Sequence, residues 1–200
     1  VAKTTRYNNV AIILHWVMAI GFFAMLGSGV VMTNISIFPI DQSMQFKLYQ
    51  WHKSAGVLLL LAFGLRLGWR LFTTVPDLPG QMKPWEKSAA KMGHYALYVM
   101  MLVQPLTGWV MVSASVYGIP TIVFGLFEWP HIPGVEGEMK IEQLAKSAHF
   151  YGALAFAGLI AIHIGATVKH YITDKINLLR RMWWFSTLNK PSEPDTTITE

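Results

Sequence analysis

The sequence predicts an all-α membrane protein built as a four-transmembrane-helix bundle. Three observations predict it. Of its 200 residues, 53% are hydrophobic and only 14% are charged, where a soluble domain of this size carries about 25% charged residues. Four apolar runs are each long enough, at roughly 20 residues or more, to cross a hydrocarbon core of ~30 Å as a helix. The basic residues that raise the pI to about 9.5 fall between those runs, which points to a membrane rather than to nucleic acid. In lipid a backbone must satisfy its own hydrogen bonds, so the runs are helices. There is no cysteine, which excludes disulfides, thiolate metal sites, iron–sulfur clusters and covalent C-x-x-C-H haem attachment.

The runs are residues 10–33, 51–72, 93–115 and 148–171. The first is uncharged and longer than the apolar region of a signal peptide, so it counts as a span. Pro105 falls inside the third and predicts a kink. Residues 84–91 (PWEKSAAK) read as a short interfacial helix leading into that span. Residues 116–147 are too long for a plain connector, and predict a segment folded over the external face as a cap or a docking surface. One transmembrane domain covers residues 1–185, and the polar residues 186–200 form a tail.

Charge sets the expected orientation. Lys3, Arg6, Arg66, Arg70, Lys83, Lys87, Lys91, Lys169, Lys175, Arg180, Arg181 and Lys190 group with the termini and the second-to-third connection. Only Lys47, Lys53, Lys140 and Lys146 lie opposite. By the positive-inside rule both termini are cytoplasmic in a multi-pass inner-membrane protein.

The seven histidines carry the chemistry. His15 and His163 each lie five to six residues from the cytoplasmic ends of their spans, while His52 and His149 open theirs on the external side. Fourteen residues from His149 to His163 turn the helix to within about 40° of four full turns and rise about 21 Å. They therefore project from nearly one face at two depths. An antiparallel bundle then sets one histidine pair in each leaflet, each pair from two helices. Two imidazoles facing each other suit a six-coordinate b-type haem iron that carries electrons, giving two haem b per chain. Arg66, fourteen residues after His52, is placed to grip a haem propionate, and Arg70 reads as a headgroup anchor. His94 is an alternative to His15 as ligand, but shallow for it. His170 lies about 10 Å beyond the inner ligand, where a titratable imidazole could pass a proton to a quinone. His131 reads as plain surface.

The segments LHWVM around His15, WHKSAGVLLLLAFGLRLGWR from Trp51, GHYALY from Gly93 and AHFYGALAFAGLIAIHIGATVKHYI from Ala148 resemble the bacterial cytochrome b561 family over residues 5–182. They are also similar to the b-type membrane subunits of formate dehydrogenases and nickel–iron hydrogenases. The resemblance implies a di-haem four-helix bundle with His15 and His163 on the cytoplasmic-side haem and His52 and His149 on the periplasmic-side haem. It implies electron transfer between a periplasmic donor, either superoxide or a redox protein, and ubiquinone. The external loop carries Glu128, Glu136, Glu138 and Glu142 against Lys140 and Lys146, a poor funnel for an anion such as superoxide, although Lys47 and Lys53 lie near His52. The competing readings are a membrane anchor and electron conduit within a larger redox complex, and a histidine-lined ion or proton transporter without haem.

Overall fold

The structure, a computed structural model, describes residues 6–34 and 36–184. The predicted tail, 186–200, lies outside them. Four helices run α1 (Asn9–Thr33), α2 (Gln42–Phe72), α3 (Pro84–Ser113) and α4 (Met139–Ile172), with a two-stranded hairpin, β1 (Thr121–Val123) and β2 (Phe127–Trp129), between α3 and α4. All four are long and apolar enough to cross a membrane. The N-terminal end of α1 and the C-terminal end of α4 meet on one side, where the Tyr7 amide donates to the Arg181 carbonyl. That side is called the terminal face, and the other the hairpin face.

Three helices start earlier than their apolar runs. α2 begins at Gln42, capped by the Asp41 carboxylate, which accepts from the Met44 amide at 2.8 Å. α4 begins at Met139. Residues 84–91 are not a separate interfacial helix but the first two turns of α3. Pro84 suits a first helical turn, and the Glu86 carboxylate reaches back to the Lys83 amide at 2.9 Å. Nothing between Lys91 and Gly93 breaks the backbone ladder, so the change from polar to apolar residues marks a membrane boundary within one helix. At 1.5 Å per residue α2 and α4 are about 46 and 51 Å long, so they rise well clear of the hydrocarbon.

The mid-membrane core is one apolar layer. Met18 and Phe22 of α1, Leu59 and Phe63 of α2 and Phe156 of α4 are all buried there, with Met101 of α3 packed against them. Phe22 and Phe156 meet edge to face with centroids 5.0 Å apart.

The long connection does fold back. β1 pairs antiparallel with β2, Val123 opposite Phe127, and buries Thr121 and Val123 against α2. The Ser54 hydroxyl lies 2.8 Å from the Gln50 carbonyl and 3.1 Å from the Ile122 carbonyl, and accepts from the Phe124 amide at 3.1 Å. Phe124 has φ of 46° and Gly125 of 78°. A phenylalanine in the left-handed region is held there by the Ser54 bond.

At the terminal face a 3-10 turn (Leu179–Met182) and the two tryptophans after it cross α1. Trp16 donates to the Met182 carbonyl at 2.7 Å, and Arg6 to the Trp183 carbonyl at 3.0 Å.

The α3–α4 seam is close-packed at Gly152, where an added Cβ would overlap the side-chain nitrogen of buried Gln104. Gly152→Val is expected to destabilise the bundle by about 1–3 kcal/mol through overpacking, read as a lower melting temperature in detergent. An unchanged melt would show the seam to be loose.

Candidate functional site

Helix geometry places the site. Seven residues turn a helix to within about 20° of two full turns, and the interior positions recur at that interval. They are His15, Phe22 and Gly29 on α1, His52, Leu59 and Arg66 on α2, His94, Met101 and Gly108 on α3, and His149, Phe156, His163 and His170 on α4. The apolar members make the central layer, and the polar members lie above and below it.

On the hairpin side His52 and His149 face each other with ring centroids 6.3 Å apart. Both lie ten residues inside their helices rather than at the openings. The Ser28 hydroxyl gives its proton to the Met25 carbonyl and accepts from His52 Nδ1 at 2.9 Å. His149 Nδ1 is 3.0 Å from the Gln104 carbonyl and 3.1 Å from the Thr107 hydroxyl, which itself donates to that carbonyl. These bonds put the proton on Nδ1 in both rings and leave Nε2 as the lone-pair nitrogen. His52 Nε2 and the Gln104 side-chain nitrogen are buried with no partner among the described residues. Cβ atoms added at Gly29 and Gly108 would come within 3.7 and 3.2 Å of the His52 and His149 rings, so small residues let the rings sit against the helix backbones.

On the terminal side His15 and His163 face each other at 6.4 Å. His94, ten residues inside α3 and in its first apolar turn, is nearer still to His163, at 5.4 Å. Arg66 reaches His15 Nδ1 at 3.5 Å and the Ala11 carbonyl at 3.4 Å, while its Nε is buried without a partner. Arg66 and Arg70 both lie over the Tyr98 ring, at 5.7 and 5.5 Å.

The geometry can be tested against a b-type haem. A metal–imidazole bond of about 2.0 Å puts two axial ring centroids about 6.2 Å apart. Both facing pairs match that spacing, and the 5.4 Å pair is too close for an iron between the rings. The hairpin-side rings also show the ligand pattern in which one nitrogen is tied to an oxygen while the other stays open.

His170 is buried, at 6% exposure, in a polar cluster rather than beside the ring pair. Its Nδ1 is 2.6 Å from the Asp174 carboxylate, and Lys169 bridges Asp174 and Glu86 of α3, each at 2.6 Å. The hydrogen bond from Lys169 holds the Asp174 carboxyl below its ordinary range; burial opposes it, and a weaker hydrogen bond from His170 adds to it. Glu86, His170 and Asp174 could surround a metal ion by distance alone, but the Lys169 ammonium occupies that position. His131, read as plain surface, has a buried and unpartnered Nε2. Ser28, Gln104, Thr107 and Glu86 escaped the sequence reading. Their one signal is a polar side chain in or beside an apolar run.

Comparison with known proteins identifies the family. The family model for prokaryotic cytochrome b561 matches residues 6–185. Cytochrome b561 homolog 2 of Escherichia coli K12 is 29% identical over 177 residues, covering 88% of this chain and 90% of the relative. Cytochrome b561 homolog 1 of the same organism is 28% identical over 181 residues, covering 88% of this chain and 96% of the relative. This four-helix membrane protein belongs to the prokaryotic cytochrome b561 family, whose members carry b-type haem and move electrons across the membrane.

Proposed function

We propose that this bacterial inner-membrane protein passes electrons from a donor on its hairpin face to quinone through two b haems, one per facing histidine pair. The carrying observation is the two pairs at 6.3 and 6.4 Å, drawn from different helices and separated by one apolar layer. His52 and His149 would hold one haem, and His15 and His163 the other. Haems held by these imidazoles would supply reversible one-electron chemistry. Arg66 has the charge and the open Nε to take a propionate on the terminal side. His94 is a neighbour of the second site rather than a ligand.

The reduced-minus-oxidised spectrum of the purified protein is expected to give two haems per chain. His149→Ala should lose one of them. His15→Ala should lose the other, whereas His94→Ala should keep both. Loss in His94→Ala with retention in His15→Ala would reassign the terminal-side pair.

The distribution of twelve basic residues against four supports cytoplasmic termini. With no native cysteine to interfere, Glu136→Cys should react with an impermeant thiol reagent in intact spheroplasts. Reaction only after the membrane is opened would invert the protein. On the periplasmic face the long loop is acidic. The Lys53 ammonium, the nearest offset, is committed to the Pro120 carbonyl at 2.9 Å. That supports a redox protein or a neutral or cationic donor over superoxide.

Ubiquinone is the proposed acceptor, at the terminal side. His170 would supply protons to it, with Asp174 holding the imidazole and solvent reaching the cluster at the face. His170→Phe is expected to leave both haems in place and to slow quinone reduction by about 10²-fold, the ordinary scale for a lost proton-transfer group. Dithionite should still reduce the haems. Quinone reduction at the parent rate would put the quinone elsewhere.

A further inference from the structure

The hairpin ends in an apolar tip that no part of the described chain covers. Phe124 and Phe127 are about half exposed, and Leu126 is 82% exposed. Ile122, the outward residue of β1, is exposed as well. A long apolar tip on a loop in water would be an aggregation hazard, so its height relative to the membrane decides what it meets.

That height can be read from α2. At the terminal face the Trp69 indole donates to the Asn8 side chain at 2.9 Å, which marks a polar boundary. A hydrocarbon core of ~30 Å takes about 20 helical residues. Counting back that far from Trp69 reaches Tyr49 and Gln50. The hairpin is clasped to this very turn. Gln50 and Lys53 both donate to the Pro120 carbonyl, at 3.4 and 2.9 Å. Ser54 bonds the hairpin at Ile122 and Phe124. The hairpin therefore lies at the hydrocarbon boundary and not above it, although α2 itself continues upward for two more turns to Gln42.

Two further features agree. The stripe of α2 that the hairpin covers is Gln50, Lys53, Ser54 and Val57, and it runs on toward the bundle centre as Leu61 and Leu65. Both of those are exposed, on a helix that must face lipid. The tip is thus continuous with a lipid-facing surface. Trp109 and Trp129 meet beside the hairpin with ring centroids 5.5 Å apart, Trp109 donating to the Pro130 carbonyl at 2.8 Å, and Trp51 lies on the turn of α2 that the hairpin grips. Such amphipathic rings collect where hydrocarbon meets headgroups.

We infer that the β1–β2 hairpin is a membrane anchor, with Phe124, Leu126 and Phe127 seated in the headgroup–acyl boundary of the phospholipid leaflet on the hairpin side. Ser54 lies two residues from His52, so the clasp ties that leaflet to the turn of α2 that carries the His52 ring.

The absence of cysteine allows a direct test. Leu126→Cys and, separately, Phe127→Cys are labelled with a nitroxide in the haem-loaded protein and reconstituted into phospholipid vesicles. Glu136→Cys serves as the aqueous reference. Collision with oxygen, which concentrates in lipid, is compared with collision with a water-soluble nickel chelate. At both tip positions oxygen should dominate, while at position 136 the chelate should dominate. A tip that favours the chelate lies in water, and the proposal fails. A tip that neither probe reaches is covered by protein, a second copy or a partner, and the proposal fails equally. An unchanged haem spectrum in each labelled variant confirms that the bundle is intact.

Discussion

The structure depends on keeping imidazoles paired inside an apolar bundle. A buried polar group left without a partner costs about 1–3 kcal/mol, and lipid offers no water to make good the loss. Each hairpin-side ring solves half of this within the chain, because Nδ1 finds Ser28 or the Gln104 carbonyl. The other nitrogen faces the opposite ring. His52 Nε2 has no partner among the described residues, so the hydrogen bonds of those residues do not complete this core. A group that binds both rings stabilises the folded bundle directly, as ligands that bind only the native state do. The apolar layer of Met18, Phe22, Leu59, Phe63 and Phe156 then keeps the two ring pairs apart.

The two faces close the bundle in different ways. At the hairpin face a folded loop does it, held by a serine and a lysine of α2 against backbone carbonyls. At the terminal face charges do it, with Lys169 joining the C-terminal end of α4 to Glu86 at the start of α3. Lys169 lies in the last turn of α4, where a cation complements the helix dipole. Glu86 lies in the first turn of α3, where an anion does. One ion pair thus serves two helix ends, and it sets His170 within reach of Asp174.

Much of this was legible in the residues. Hydropathy gave the four spans, because lipid enforces one secondary structure on an apolar run. The fourteen-residue spacing put His149 and His163 on one face at two depths, because helix geometry leaves no freedom there. Helix starts were not legible. Hydropathy marks where the membrane ends, not where the helix ends, so α2 and α4 begin about nine residues before their apolar runs. The closeness of His94 to His163 was not legible either, because it depends on how α3 and α4 are staggered against each other. The hydrogen-bond partners of the rings were hidden too, since Ser28, Gln104 and Thr107 become neighbours of histidines only through tertiary packing. The positive φ of Phe124 had no signal beyond the glycine that follows it.

The surroundings of the two pairs are not equivalent, and the difference has a direction. On the hairpin side the Nδ1 atoms meet neutral oxygens. On the terminal side the Arg66 guanidinium stands 3.5 Å from His15, with Arg70 beyond it over Tyr98. In a medium of low dielectric such a cation interacts strongly with nearby charge, and it favours the state that carries an added electron. A carbonyl-bonded imidazole is the more basic ligand and favours the oxidised state. Under the proposed haem assignment both effects make the terminal-side site the better electron acceptor. Under that proposal electrons would run from the hairpin face toward the terminal face, the side on which His170 and Asp174 lie.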